Sequence, residues 1–253
     1  MKQLFEQPYI DKLMKRRVVL FWSGGIESTC LMEAVIKQKL YEICDVTVLM
    51  VTFPQELYPK QRIDELKRFL SEYPIHTVIL TPEAVIPRES PYAAACGVCK
   101  SIRRGMITDH LDGILSRDGE TVLITGHSLD DLASYTLELL ADKFQQNESR
   151  DRSRFLECVN KFHEFFWYSD RIVFYRPLAR VARHELRPVE AGPLKVICEK
   201  CYWSNQRKRT LQSYFESSGI WLSYDSVRNV FLRNFNMPAD DEFRELSYDT
   251  YLM

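Results

Sequence analysis

The sequence has no run of 18 apolar residues, and a helix needs about that many to cross a bilayer. Its first eight residues are interrupted by charges and a proline, which is not the pattern of a secretory signal peptide. Internal repeats and low-complexity tracts are also lacking. We therefore expect a cytoplasmic protein with no membrane segment, and repeat architectures are excluded.

Neither sign of charge is in excess. The chain has 34 Lys and Arg against 35 Asp and Glu, which gives a net charge of −1. No overall basic field attracts nucleic acid, so any such binding must use a local patch. Ordinary solvated faces are the alternative for each candidate patch. The candidates are three basic clusters: Lys12, Lys15, Arg16 and Arg17; Arg176, Arg180, Arg183 and Arg187; and Arg207, Lys208 and Arg209.

The composition is that of an ordinary globular protein. The 253 residues are 45% hydrophobic and 27% charged. A chain of this length can bury a hydrophobic core without disulfides or structural metals. Strand patterns alternate with helix patterns in the first half, which predicts a doubly wound α/β fold with a five-stranded parallel sheet. We expect residues 1–190 to form this domain and residues 191–253 to form a helical C-terminal segment packed on it. Strands are predicted at 18–22, 46–53, 76–80, 121–125 and 172–175, and helices at 27–39, 61–73, 100–117, 129–144, 157–168 and 205–218.

A glycine-containing loop follows the first predicted strand. Ser23-Gly24-Gly25-Ile26-Glu27-Ser28 leads directly from that strand into a predicted helix. A helix start presents free N–H groups and the positive end of the helix dipole, glycines let an anion approach the backbone, and serines add hydroxyl donors. We interpret Ser23, Gly24, Gly25, Glu27 and Ser28 as a pyrophosphate-binding loop. It is not a Walker A loop, because no Gly-Lys-Ser/Thr follows, and a plain strand-to-helix turn is the alternative.

A second polar loop, Gly126-His127-Ser128-Leu129-Asp130-Asp131, follows the fourth predicted strand. Two adjacent carboxylates at the carboxyl edge of a parallel sheet suit a Mg²⁺ ion that carries ATP phosphates. Aspartate is also common at helix starts for capping alone. We take Gly126, His127 and Asp130 as candidates for nucleotide and metal binding, and Asp131 for a catalytic role.

Four of the seven cysteines form two pairs, Cys96-Gly97-Val98-Cys99 and Cys198-Glu199-Lys200-Cys201. In a reducing compartment, two Cys-x-x-Cys pairs indicate metal or redox chemistry rather than a disulfide framework. Spacing alone favours a structural zinc held by four thiolates, and an iron–sulfur cluster is the alternative. Cys30, Cys44 and Cys158 lie in apolar or helical patterns and are predicted to be packed thiols.

The two loops resemble elements of a known superfamily. The sequence of residues 23–28 is similar to the Ser-Gly-Gly-x-Asp-Ser motif of PP-loop ATP pyrophosphatases, and residues 126–131 to their Gly-His-x-x-Asp-Asp element. Those enzymes adenylate a substrate and release pyrophosphate. The resemblance implies an adenine nucleotide alpha hydrolase-like fold that binds ATP and Mg²⁺. Glu27 departs from the motif, because the family usually has Asp there, and its carboxylate reaches one methylene further.

The flanks of the cysteine pairs resemble the tRNA 2-thiocytidine synthetase family within that superfamily. The matching segments are Cys96-x-x-Cys99-x-x-x-Arg103-Arg104-Gly105, Tyr175-Arg176-Pro177-Leu178, and Cys198-x-x-Cys201 followed by Gln206-Arg207. In that family three cysteines hold a [4Fe–4S] cluster with one iron open for sulfur. The resemblance implies that Cys96, Cys99 and Cys198 are the ligands and that Cys201 is a spare thiol in the catalytic set. Residues 144–169 are unlike the family.

This resemblance implies an ATP-dependent sulfurtransferase that thiolates tRNA. It would adenylate a nucleobase carbonyl, and sulfide or a persulfide carrier would supply the sulfur that replaces the oxygen. Two alternatives stay open: an adenylating enzyme that acts on a small molecule and has a structural zinc, and a non-catalytic regulator that binds nucleotide or nucleic acid. A homodimer is compatible with the sequence, which does not decide the oligomeric state.

Overall fold

The computed structural model describes residues 4–86, 92–144, 152–187, 192–195, 201, 207–236 and 244–252. The helices are α1 (Gln7–Leu13), α2 (Ile26–Lys37), α3 (Lys60–Leu70), α4 (Tyr92–Leu115), α5 (Leu129–Phe144), α6 (Arg152–Asn160), α7 (Arg207–Ser218) and α8 (Tyr224–Asn234). The strands are β1 (Arg17–Phe21), β2 (Asp45–Val51), β3 (His76–Leu80), β4 (Thr121–Ile124), β5 (Phe165–Trp167) and β6 (Ile172–Tyr175). Within the described ranges, no helix combines the length and the apolar character needed to span a bilayer.

One sheet organises the chain, with the strand order β3-β2-β1-β4-β6-β5. The first five strands in that order are parallel, as predicted, and β1 lies at their centre between β2 and β4. Parallel strands need crossover connections, which the helices supply. The carboxyl ends of β1 and β4 therefore lie side by side at one edge of the sheet.

Alternation along the strands sends side chains to two apolar clusters, one on each face of the sheet. In β1, Val18 and Leu20 belong to the first cluster and Val19 to the second. Helices α2 and α3 cover the first face, whereas α4, α5 and α6 contribute to the second. This arrangement is the doubly wound architecture expected from the sequence.

The predicted count of five strands is wrong by one. Residues 157–168 are not one helix: α6 ends at Asn160, and β5 then pairs antiparallel with β6, with Phe165 opposite Tyr175. An aromatic run has a high strand preference, and a free neighbouring edge decides the outcome. Helix α4 also begins earlier than predicted, so that Cys96 and Cys99 are helical.

The described C-terminal residues pack on the second face of the sheet. Phe215 of α7 and Phe231 of α8 are buried in the second cluster, together with Tyr251 and Leu252. Tyr251 contacts the rings of Phe166, Tyr168 and Phe174. Helix α8 was not predicted from the sequence.

Candidate nucleotide and thiol site

The loop after β1 is organised around the hydroxyl of Ser28. This oxygen accepts the Ser23 N–H at 3.1 Å, lies 3.1 Å from Ser23 Oγ, and donates to the Gly25 carbonyl at 3.2 Å. Gly24 has a φ of 76°, a left-handed conformation that favours glycine. Tyr58, which lies outside this loop in the sequence, also stabilises it, because its hydroxyl donates to the Ser23 carbonyl at 3.0 Å.

Helix α2 starts at this loop with an N-terminus suited to an anion. Gly25 is the N-cap, and no side-chain hydrogen bond caps the helix there. The first-turn N–H groups and the helix dipole therefore point toward the space beside Ser23, which is the geometry expected of a phosphate-binding loop.

The second polar loop packs directly on the first. A Cβ atom added to Gly126 would lie 3.4 Å from Glu27 Cβ and 3.4 Å from the Ser28 nitrogen. The predicted nucleotide-binding elements are thus brought into contact at the carboxyl ends of β1 and β4. A Cβ at this position would be at the near limit of van der Waals contact, so the two loops approach each other as closely as a small residue allows.

Both aspartates of the second loop are buried, and each has a backbone N–H bonded to it. Asp131 Oδ2 accepts the Ser128 N–H at 2.9 Å, which is a helix-capping contact at the start of α5. Asp130 Oδ2 accepts the Arg183 N–H at 2.5 Å. Asp130 is 3% and Asp131 is 5% exposed, so neither is a solvated surface group, and the capping alternative applies to Asp131. Their role toward Mg²⁺ stays a prediction.

Arg183 joins the two loops, whereas the sequence indicated it only as a member of a candidate basic patch. Its backbone N–H holds Asp130, while its guanidinium Nε lies 3.4 Å from Glu27 Oε1. The extra methylene of Glu27 thus carries its carboxylate toward a cation from the segment after β6. No local pattern reveals this pair, because its members are 156 residues apart.

His127 leads from the nucleotide loops into a buried polar cluster. Its Nδ1 lies 2.9 Å from Thr125 Oγ1, and its ring neighbours that of Tyr135. On the ring of Tyr135 lies Lys161 Nζ, 4.2 Å from the centroid, with a side chain only 1% exposed. Lys161 Nζ is also 3.4 Å from Glu157 Oε1.

Glu157 connects this cluster to the helix that carries the first cysteine pair. Lys100 Nζ, four residues after Cys96, lies 3.2 Å from Glu157 Oε1. Burial alone would raise the pKa of Glu157, but Lys161 and Lys100 together hold it below its ordinary value. A polar path therefore runs from His127 to α4.

Three of the four paired thiols are described, and Cys201 interacts electrostatically with Cys99. Cys96 and Cys99 are one turn apart on α4, so they share a helix face. Burial raises the pKa of the Cys99 thiol, the guanidinium of Arg103 opposes that rise, and the Cys201 and Cys96 thiols add to it. Cys198 lies outside the described residues. Among the described residues, no group of three or more His, Cys, Asp or Glu side chains is arranged to hold a metal ion.

The two arginines after the cysteine pair are half-buried, and so they are not a simple surface pair. Arg103 bonds to Cys99, and Arg104 Nε lies 4.0 Å from Asp249 Oδ2. Arg103 Nε, Arg104 Nε and Arg104 Nη2 are buried and find no hydrogen-bond partner among the described residues. Donors of this kind favour an anion nearby.

The other predicted residues behave as packed or structural groups. Cys30, Cys44 and Cys158 are buried, and burial raises the pKa of the first two thiols to about 11. Arg176, expected in a basic surface patch, is instead fully buried and donates to Asn160 Oδ1 at 2.7 Å. It cannot contact a nucleic acid from there.

Comparisons with known proteins identify the fold. No protein-family model matches the chain, and no curated protein sequence matches it. Among solved structures, it is similar to the U34-tRNA thiolase NcsA from Methanococcus maripaludis, which was determined with its [4Fe–4S] cluster. The TM-score is 0.57 at 19% sequence identity, with 88% of this chain and 73% of that chain covered. At this identity, the likeness shows a shared fold.

Proposed function

We propose that the protein is an ATP-dependent sulfurtransferase that adenylates a nucleobase carbonyl in tRNA and replaces the oxygen with sulfur. The observation that carries this proposal is the contact between the serine–glycine loop and the loop of Asp130 and Asp131. Helix α4 follows β3 in a parallel sheet, so its cysteine-bearing N-terminal half begins at that same edge. The fold shared with a tRNA thiolase adds support.

The loops supply the part of the reaction that needs ATP. A carbonyl oxygen is a poor leaving group, and its adenylation makes AMP the leaving group instead. The Ser23 and Ser28 hydroxyls and the first N–H groups of α2 would stabilise the charge on the departing pyrophosphate. Asp130 and Asp131 would hold Mg²⁺ beside them.

The thiols would hold the group that handles sulfur. Cys96, Cys99 and Cys198 are the proposed ligands of a [4Fe–4S] cluster. Two observations support this choice: the Cys96 and Cys99 thiols share a helix face, and the Cys201 thiol raises the pKa of Cys99. When bound, the cluster would supply a Lewis-acidic iron for sulfide-level sulfur, and sulfur from a persulfide carrier would first need reduction by a second thiol, which would leave as part of a disulfide. The cations on α4 would offset the negative charge of the cluster.

One observation favours a second candidate, an adenylating enzyme for a small molecule with a structural zinc. Cys201, the spare thiol of the cluster proposal, lies near Cys99. Four converging thiolates would make a closed tetrahedral zinc site.

Substitutions in the second cysteine pair separate the two candidates. Protein is reconstituted without oxygen with iron and sulfide, and iron, zinc and the visible spectrum are measured. We expect Cys198→Ser to lose the iron and the matched variant Cys201→Ser to keep it. Wild-type protein that binds only zinc, with metal and stability both lost in Cys201→Ser, would instead support the zinc site.

The modified product tests the function itself. The nucleosides of tRNA from cells that lack the protein are compared by mass spectrometry with those from wild-type cells. We expect one thiolated nucleoside to disappear and to return when the wild-type chain, but not Ser23→Ala, is restored. An unchanged set of thiolated nucleosides would contradict the proposal.

A further inference from the structure

A cleft of about 510 Å³ lies apart from the nucleotide loops and combines aromatic with cationic side chains. It opens between α1, β5, the segment after β6 and the start of α8. Tyr9, Trp167 and Tyr224 are among its aromatic residues, and Lys12, Arg180 and Arg228 are its lysine and arginine residues. The proposed chemistry of ATP and sulfur uses none of them.

Its aromatic rings are partly open, and cations lie on several of them. Trp167 is 38% exposed, and the Arg16 guanidinium lies 5.3 Å from its ring. Lys12 Nζ lies 4.7 Å from the ring of Phe165, and the Arg180 guanidinium 4.3 Å from that of Tyr224. Open rings next to cations are the features that bind unpaired nucleotides, through base stacking and phosphate contacts.

The cleft carries a positive excess on a chain that is slightly negative overall. Three lysine or arginine side chains line it against two carboxylates, those of Glu164 and Asp225. Glu164 is already engaged, since Arg180 Nε lies 3.2 Å away and the Tyr9 hydroxyl donates to it at 2.8 Å. Burial and this carboxylate raise the pKa of Tyr9 to about 12, so its hydroxyl stays a neutral donor.

One end of the cleft lies at the same edge of the sheet as the nucleotide loops, whereas Trp167 pairs with Val173, nearer the amino end of β6, and contacts Arg16, which precedes β1. Phe165 pairs with Tyr175, the last residue of β6, and Arg180 follows that strand in the chain. Arg183, which binds Glu27 and Asp130, comes three residues later, so the two arginines are at most about 11 Å apart along the backbone. A chain of nucleotides in the cleft can therefore continue toward the ATP loops.

We infer that this cleft binds unpaired nucleotides of an RNA substrate beside the base that is modified. Bases stack on Trp167 and its aromatic neighbours, while Lys12 and Arg228 contact phosphates. The inference rests on the proposed function for its choice of RNA, and it adds a recognition surface to the catalytic site. Binding of this kind depends on salt and tolerates different base sequences.

A direct measurement of RNA binding tests whether the cleft binds unpaired nucleotides. The probe is a fluorescein-labelled single-stranded RNA of about ten nucleotides, titrated with full-length protein without ATP, iron or sulfide, and followed by anisotropy. We expect Trp167→Ala to weaken binding by about 5- to 150-fold, the range for loss of one stacked base. We expect Arg228→Glu to weaken it at least tenfold and to lower the salt slope by about one. The matched control is Arg233→Glu, an exposed arginine on the same helix that does not line the cleft, which should stay within twofold.

Several results would overturn the inference. These are no binding by wild-type protein, equal weakening by Arg228→Glu and Arg233→Glu, or equal competition by polyglutamate of matched charge, which has no bases to stack. Because ATP and sulfur are absent from the assay, such results leave the sulfurtransferase proposal standing. A protein that binds the RNA through the cleft but thiolates nothing would contradict only the proposed function.

Discussion

Glu27 Oε1 lies 3.4 Å from Arg183 Nε, which ties the phosphate loop after β1 to the segment after β6. Both side chains are partly exposed, at 21% and 34%, so solvent weakens the pair. In a double-mutant cycle with Glu27→Gln and Arg183→Met, we expect a coupling of about 0.5–1 kcal/mol in the free energy of unfolding. Denaturant unfolding of the four proteins measures it. If the effects of the two substitutions add to within about 0.3 kcal/mol, the Glu27–Arg183 contact does not contribute to the free energy of unfolding.

The close contact at Gly126 predicts that even one added methyl group is harmful. Gly126→Ala places a Cβ at 3.4 Å from both Glu27 Cβ and the Ser28 nitrogen, at the near limit of van der Waals contact, so the neighbouring loop must give by a few tenths of an ångström. We expect a loss of about 1–2 kcal/mol in unfolding free energy and weaker ATP binding, measured by calorimetry. Gly113→Ala on α4, where a Cβ meets nothing within 4 Å, is the control and should be neutral or stabilising. Equal behaviour of the two variants would refute the contact.

Two substitutions in the phosphate loop should abolish pyrophosphate release without unfolding the protein. Ser23→Ala removes a hydroxyl 3.1 Å from Ser28 Oγ. Gly25→Val keeps an allowed backbone, since φ is −80°, but fills the loop next to Ser23 Oγ. Release is followed by a coupled phosphate assay and folding by circular dichroism, with the exposed Ser116→Ala as the control. Normal turnover in both loop variants would exclude this loop from ATP binding.

The carboxylate of Glu157 should matter for stability and for its dependence on acid. Glu157→Gln leaves Lys161 buried without its carboxylate, so we expect a loss of about 3 kcal/mol near neutral pH. Because the folded protein lowers the pKa of Glu157, its contribution is present above pH 4.5 and is lost as pH falls below that value. The variant should therefore lose less stability than wild type on acidification.

Denaturant unfolding between pH 7 and pH 3 checks this prediction. The control is Glu42→Gln, whose partner Lys39 is at the surface, and it should unfold like wild type. A parallel acid dependence in wild type and Glu157→Gln would mean that Lys161 does not depend on Glu157.

The sequence predicted the elements that have a strong local pattern. The parallel strands and helices α2, α3 and α5 follow from apolar periodicity, and the two polar loops from the residues that end β1 and β4. Strand β5 was missed because three aromatic residues continue a helical pattern and only the edge of β6 makes them a strand. Helix α8 did carry a signal, since Ser223 caps it and Val227 and Phe231 are buried four residues apart.

The parts of the site that the sequence could not predict are tertiary. Lys161 has the pattern of a surface lysine, yet Glu157 and the face of Tyr135 compensate its burial. Arg183 belongs to a basic cluster in the sequence, but its contact with Glu27 depends on how the sheet closes. Long-range ion pairs of this kind leave no mark in local periodicity.

The pairing of β1 with β4 joins Arg17 to Thr121, more than a hundred residues along the chain. Bringing two segments so far apart in sequence together costs chain entropy before the strand contacts form. Topologies with many such contacts fold slowly. The loops after β1 and β4 therefore cannot come into contact until these two strands have paired. A nucleotide that contacts both loops would bind only the protein in which β1 and β4 are paired. Its binding would therefore stabilise the native fold relative to partly folded forms.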